Sequence, residues 1–323
     1  MRGEKRQAIL YIFDYHRPAI INMEDISRNI AYKKKNYWRY PMKSRKLLFK
    51  MIQAIPGTLT SRLRILPDFI IIGVQKCGTS SVYFNLKKHP CISPALTKEI
   101  HFFDNNFHKG IGWYRKHFPT RHYIDIARHL SGRKVVTGEA SPDYILYPHI
   151  PRRIYETVPG VKLLVFLANP ADRAYSQYHH YLRKGLENLS FEEALEKEEV
   201  RLKGELEKIQ SSPGYYSFNY EHYSYISRGM YIDQIKRWTA VFPRRQFFIE
   251  SSEDFYKHPE KVYSKILDFL ELPGWLPKSF GKYNAGKKYE KMKDGTRKML
   301  IDHFKPYNEK LYEFLGRDLG WDR

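Results

Sequence analysis

Phe69-Ile70-Ile71-Ile72-Gly73-Val74-Gln75-Lys76-Cys77-Gly78-Thr79-Ser80-Ser81 decides the fold. Phe69 to Val74 is a short apolar run, the pattern of a strand buried on both faces. Gly73 and Gly78 bracket a tight turn. Thr79 and Ser80 are helix-start residues, and Val82, Phe84 and Leu86 begin a helix that ends before His89-Pro90. A strand, a glycine turn and a helix start aim backbone N–H groups and the positive end of a helix dipole at one point, which suits an anion. Lys76 adds a full charge there. The spacing G-x-x-K-x-G-T-S departs from the G-x-x-x-x-G-K-[ST] loop of ATP-binding proteins, because the lysine precedes the second glycine. Taken alone, the turn is either an anion loop or a plain tight turn.

The chain has 323 residues, enough for one large core or a core domain with an extension. Its net charge of +21 favours polyanionic partners: nucleic acid, an anionic membrane face, an acidic polysaccharide or a nucleotide. Residues 1–67 hold 15 Lys and Arg against 4 Asp and Glu, a net of +11, and read as a basic N-terminal extension to a domain over 68–323. The extension interleaves basic and aromatic residues from Tyr32 to Tyr40, and Lys46 to Ile55 has the pattern of a short amphipathic helix. It is a solvated arm, a membrane-surface contact or part of an acceptor groove. The only cysteines are Cys77 and Cys91, and Cys77 sits within the turn, so a reducing compartment is expected. No run approaches the ~18 apolar residues of a membrane span, and Ala8 to Phe13 is too short for a signal peptide. These features point to a cytoplasmic protein, with peripheral membrane contact through the extension as an option.

Downstream, Thr97-Lys98-Glu99-Ile100-His101-Phe102-Phe103-Asp104, if extended, puts Glu99 and His101 on one face. That pair is a candidate base with a partner, or a surface glutamate beside a packed histidine. Arg133 to Glu139 reads as a second strand. Val161 to Leu167 reads as a third, stopped by Asn169-Pro170 ahead of a helix containing Arg173 and Ser176; a second strand-to-helix turn suits a second phosphate. Phe191 to Ile209 has a helical pattern. Ser224 to Trp238 is a loop entering a helix, Gln246 to Glu250 a strand, and His258 to Leu272 a helix. Gly286, Lys287 and Lys288 lie in a basic loop before a final helix from Thr296 to Leu315. Strands alternating with helices imply a parallel sheet covered by helices.

These motifs, in this order, resemble sulfotransferases that use 3′-phosphoadenosine 5′-phosphosulfate (PAPS), and most of all the branch with the heparan sulfate N- and 3-O-sulfotransferases and related bacterial enzymes. The resemblance runs from about Phe69 to Trp321. It implies an α/β, P-loop-like three-layer fold with a central parallel sheet flanked by helices. It also implies a role for each matching residue. Lys76, Cys77, Gly78, Thr79 and Ser80 form the 5′-phosphosulfate loop, with Lys76 on the oxygen bridging phosphate and sulfonate. Glu99 is the catalytic base, and His101 and Asp104 line the acceptor site, His101 orienting the base or the acceptor. Ser176 binds the 3′-phosphate, with Arg173 as a further candidate, and Gly286, Lys287 and Lys288 close over the same group. Two positions depart from the pattern: Ala140 stands where the family often has an active-site lysine, and Ala168 where many members have arginine. A disulfide near the C-terminal loop of animal members has no counterpart.

The expected activity is therefore in-line transfer of a sulfonate from PAPS to a hydroxyl or amine, leaving the product nucleotide PAP, with no metal expected. A carbohydrate, possible acidic character included, is the expected acceptor, with a glycolipid or a small alcohol as the alternative. Two other classes fit part of the chain. A P-loop kinase would need ATP, magnesium and a lysine placed elsewhere. A nucleic-acid binder would explain the charge but not two anion loops and a Glu/His pair, and nucleic acid is not the expected partner.

Overall fold

The computed structural model describes residues 10–14, 17–21, 60–212, 214–283 and 289–322. The N-terminal apolar stretch falls in an antiparallel hairpin of β1 (Leu10–Asp14) and β2 (Arg17–Ile21), with Leu10 opposite Ile21 and Asp14 opposite Arg17. The expected amphipathic helix at 46–55 and the Tyr/Lys run at 32–40 lie outside the described residues.

From Phe69 onward the apolar runs become a single sheet. β3 (Phe69–Gly73) is buried at every position and leads through the glycine turn into α1 (Thr79–Leu86). β4 (Ile92–Pro94) follows, then α2 (Gly110–Arg115), α3 (Arg121–Ser131) and β5 (Val136–Ala140). α4 (Ile150–Thr157) leads to β6 (Lys162–Leu167) and α5 (Pro170–Arg183). Four helices come next: α6 (Phe191–Leu202), α7 (Glu205–Ser211), α8 (Phe218–Tyr223) and α9 (Tyr231–Thr239). β7 (Phe247–Ser251), α10 (Ser252–Lys257), α11 (Pro259–Leu270) and α12 (Asp294–Leu315) complete the domain.

The sheet order is β4-β5-β3-β6-β7, and every neighbouring pair is parallel. β3 lies at the centre because its two faces have no polar side chain to present to water: Phe69, Ile70, Ile71 and Ile72 are all fully buried. Helices flank the sheet, with α1 on β3 and β5, and α10 and α11 on β7. This is the expected P-loop-like α/β architecture. The chain leaves β3, β5 and β6 at the same edge, their carboxyl ends, where open parallel sheets place their ligands.

Local chemistry sets the helix starts. Asn169 caps α5, its side-chain oxygen accepting from the N–H of Ala171 at 3.0 Å, with Pro170 as the first helical residue. Ser190 and Glu193 form a capping box at α6. The single helix expected from Phe191 to Ile209 is two, because Gly204 takes a left-handed conformation (φ 74°) between α6 and α7.

Candidate active site

The turn after β3 is built on two glycines that tolerate no side chain. A Cβ at Gly73 would lie 2.5 Å from Cγ2 of Ile145, and one at Gly78 would lie 2.9 Å from the Tyr256 hydroxyl. Gly78 also has φ +73°, as the cap of α1. The first turn of α1, starting at the buried Thr79 and Ser80, directs N–H groups out of the helix toward the turn. Lys76 has φ 70°, a conformation that is uncommon for a side chain of its length. Burial, and then the charge of Arg183, hold its ammonium below the usual lysine range, and Lys184 acts in the same direction. Gln75 donates from Nε2 to the Tyr181 hydroxyl at 3.0 Å, tying the turn to the last turns of α5, which carry His180 and Arg183. Burial and the charges of Lys76, Lys184 and Arg183 push the His180 imidazole down to about 4. Lys76, Arg183 and Lys184 therefore gather near the turn, an arrangement suited to an anion of more than one charge.

Cys77 does not join that face. Its N–H donates to the Val74 carbonyl at 3.1 Å, its sulfur lies 3.8 Å from the Tyr231 hydroxyl, and burial pushes the thiol up to about 12. Cys77 and Cys91 are both buried.

The segment carrying Glu99 and His101 is not extended. Glu99 has φ 60° and His101 φ 51°, so the alternation that would put them on one strand face does not hold. A loop reversal at each residue replaces it. The Glu99 N–H donates to the Ala140 carbonyl at the end of β5, at 2.9 Å. The Glu99 side chain is 44% exposed, and its carboxylate pairs with the ammonium of Lys98, whose own side chain is largely buried. His101 Nδ1 lies 2.7 Å from Asp104 Oδ2. Burial disfavours a charged ring there, but the hydrogen bond and charge of Asp104, helped by Asp143 and Glu221, outweigh it and raise His101 to about 10. Asp104 in turn accepts from the Asn105 N–H at 2.7 Å.

Beyond His101 stands an acidic wall that the sequence reading did not assign. Asp143 makes a buried ion pair with Arg228, and Arg228 Nη2 donates to the Glu221 carbonyl oxygen at 2.6 Å. Burial, then the charge of Asp143, raises the Glu221 carboxyl to about 7, and Tyr147 donates to it at 3.3 Å. The sequence signal that could have found Asp143 is its place just past the strand expected from Arg133 to Glu139. Glu139 is fully buried in β5, with Tyr114 and Ser141 donating to its carboxylate at 2.5 and 2.8 Å; burial raises it to about 7 against those hydrogen bonds. Ala140 and Ala168, the two departures from the family pattern, are both buried at strand ends.

The third wall is α5. Ser176 lies half-buried on this helix. Arg173 is enclosed, its guanidinium donating to Gln177 Oε1 at 2.6 Å and to the Tyr225 carbonyl, so it belongs to the packing between α5 and the 225 turn rather than to an open face. Gly286, Lys287 and Lys288 lie outside the described residues, but both ends of their loop are placed. On one side the Tyr283 N–H donates to Ser81 Oγ of α1 at 2.9 Å. On the other the Tyr289 ring stacks on His179 of α5, with centroids 4.0 Å apart. The residues on either side of 284–288 thus contact α1 and the helix that carries Ser176.

A sulfotransferase domain profile matches residues 66–299. The chain is 30% identical over 84% of its length to the heparan sulfate glucosamine 3-O-sulfotransferase 3A1 of Mus musculus, covering 69% of that protein. It is 29% identical over 80% of its length to the membrane-associated sulfotransferase kil1 of Dictyostelium discoideum, covering 67% of it. Among solved structures, a sulfotransferase from Alicyclobacillus acidocaldarius superposes with a TM-score of 0.59 at 32% identity, over 80% of this chain and all of that one. A profile match across most of the domain and a likeness to a solved sulfotransferase at 32% identity place the chain in the sulfotransferase family.

Proposed function

We propose that this sulfotransferase moves a sulfonate from PAPS to a hydroxyl or amine of a carbohydrate. One observation carries the assignment of residues. Among the described residues, four that are not glycine have positive φ, and three of them are Lys76, Glu99 and His101. Such conformations cost about 1–3 kcal/mol each and persist where the surrounding structure imposes them. Here they gather at the carboxyl edge of β3 and β5.

The residues fit the donor. The α1 N-terminus and Lys76 suit the 5′-phosphosulfate, and the glycine at 78 leaves no side chain between them. Ser176 and the loop bearing Gly286, Lys287 and Lys288 suit the 3′-phosphate. When bound, PAPS supplies the sulfonate and a stable leaving nucleotide. Lys76 and the turn's N–H groups then steady negative charge on the bridging oxygen. Glu99 accepts the acceptor's proton at its carboxylate, which requires that carboxylate to leave Lys98. His101, held charged by Asp104, orients the acceptor oxygen and does not act as a base.

A carbohydrate acceptor is supported by the glucosamine 3-O-sulfotransferase relatives and by the surface near Glu221. Tyr216 is exposed there, offering a flat apolar face beside the Glu221 carboxyl, which accepts hydroxyl groups.

Calorimetric titration with PAP, beside ADP and ATP–magnesium, tests the donor. Metal-independent binding of PAP, weakened tenfold or more by Ser176→Ala, is the expected result. Binding of ATP–magnesium without PAP would move the protein to the kinases. Transfer of labelled sulfonate to heparan sulfate oligosaccharides, and not to a glycolipid or simple alcohol, is the expected acceptor result.

A further inference from the structure

The loop that carries Glu99 and His101 is held by hydroxyl groups, and those hydroxyls share one carboxylate. Ser141 Oγ accepts from the His101 N–H at 3.3 Å. Tyr144 Oη accepts from the Phe102 N–H at 2.8 Å and from the Phe103 N–H at 3.4 Å. Both hydroxyls in turn donate to Glu139: Ser141 to Oε2 at 2.8 Å, Tyr144 to Oε1 at 3.4 Å. Tyr114 donates to Oε1 as well, at 2.5 Å. One residue further along β5, the Ala140 carbonyl holds the Glu99 N–H.

The direction of these bonds matters. A hydroxyl can donate one hydrogen, and a carboxylate only accepts. Above about pH 7, where Glu139 is ionised despite its burial, the Ser141 and Tyr144 hydrogens are drawn to its oxygens. Their lone pairs are then left facing the three consecutive N–H groups of residues 101–103. A neutral amide in place of the carboxylate would offer a donor to at least one of these hydroxyls and turn it around. That hydroxyl would then divide its two lone pairs between the amide and the backbone N–H behind it, and its own hydrogen would lose its acceptor, weakening the clamp by about 1–3 kcal/mol. His101 sits at φ 51°, so its conformation depends on such outside support.

We propose that Glu139 is a positioning residue for sulfonate transfer. It polarises Ser141 and Tyr144 so that they clamp the 101–103 backbone and fix the left-handed turn that aims His101 and Glu99. Glu139 itself touches neither donor nor acceptor. The claim about catalysis rests on the roles proposed above for Glu99 and His101; the claim about the clamp does not.

The experiment therefore reads both. Glu139→Gln, Ser141→Ala and Tyr144→Phe are compared with Tyr83→Phe, whose hydroxyl donates to the Gly138 carbonyl at 3.3 Å in the same buried layer. Amide hydrogen exchange is measured at residues 101–103, PAP affinity by calorimetry, and kcat and KM with labelled PAPS and heparan sulfate oligosaccharides. In Glu139→Gln, exchange should quicken tenfold or more at the amides behind whichever hydroxyl turns, 101 or 102 and 103, and kcat should fall tenfold or more, with PAP affinity and the KM for PAPS within threefold. Ser141→Ala should free the amide of 101 alone and Tyr144→Phe those of 102 and 103, while Tyr83→Phe matches wild type throughout. Unchanged exchange at 101–103 in the Ser141 and Tyr144 variants overturns the proposal, even if Glu139→Gln does not fold. A loss of kcat in Glu139→Gln with these amides as protected as in wild type overturns it too. If the wild type transfers nothing to the oligosaccharide, the proposed acceptor is what fails, and the exchange pattern still decides the clamp.

Discussion

His101 Nδ1 and Asp104 Oδ2 lie 2.7 Å apart across a single reversed turn, with the Asp104 side chain almost wholly enclosed. The pair joins the strained part of the loop to its rigid part. It also fixes a charge on the imidazole, because the raised value of about 10 is far above the ordinary 6.5.

That shift has a sign in stability. A histidine whose folded-state value is raised stabilises the fold fully below about pH 6.5 and loses that contribution as pH climbs through about 10. Thermal unfolding of the wild type should therefore drop between pH 7 and pH 10 by more than that of His101→Gln, the difference amounting to about 2 kcal/mol. Parallel melting curves for the two proteins across this range would remove the ion pair from the account.

Glu99→Gln keeps the side chain's size and removes its basicity. Turnover should fall about 10²- to 10⁴-fold, with PAP affinity within threefold of wild type by calorimetry. Wild-type kcat in this variant would mean that another group takes the proton.

Lys76→Ala should lower kcat by about 10²–10³, the usual loss when a charge-stabilising donor is removed. Because Arg183 and Lys184 already act on this ammonium, the variant should lose less PAP affinity than kcat. Single-turnover kinetics separates the two, and an effect confined to KM for PAPS would make Lys76 a binding group only.

Asp143→Asn leaves the fully buried Arg228 without its counter-charge. A cost of about 3–5 kcal/mol is expected in denaturant unfolding. A double substitution to apolar residues of similar volume should recover most of it. If the single variant unfolds at the wild-type midpoint, the pair is not holding the acidic wall together.

Much of the sheet was readable from the chain. The strands β3, β6 and β7 come from apolar runs bounded by Gly, Pro or polar residues, and they stand within a residue or two of where those runs lie. β4 was missed because three residues carry no period. The break between α6 and α7 rests on one glycine taking positive φ, a choice that the surrounding Glu/Lys pattern conceals. At the site, the residue types were legible and their conformation was not. Nothing in Lys98-Glu99-Ile100-His101 marks two left-handed residues, since that geometry is imposed by Ala140, Ser141 and Tyr144 some forty positions later. Arg228 and Asp143 are 85 residues apart, and no local pattern links them.

The three left-handed residues also set limits on engineering. Glycine is the substitution that ordinarily relieves such backbone, by about 1–2 kcal/mol at each position. At Lys76, Glu99 and His101 it would delete the ammonium, the carboxylate and the imidazole together with the strain. A search for hardier variants that scores only melting temperature would be drawn to these positions and would trade activity for heat resistance there. Glu271, the fourth such residue, caps α11 with φ 57° and is the one position of the four where that trade does not arise.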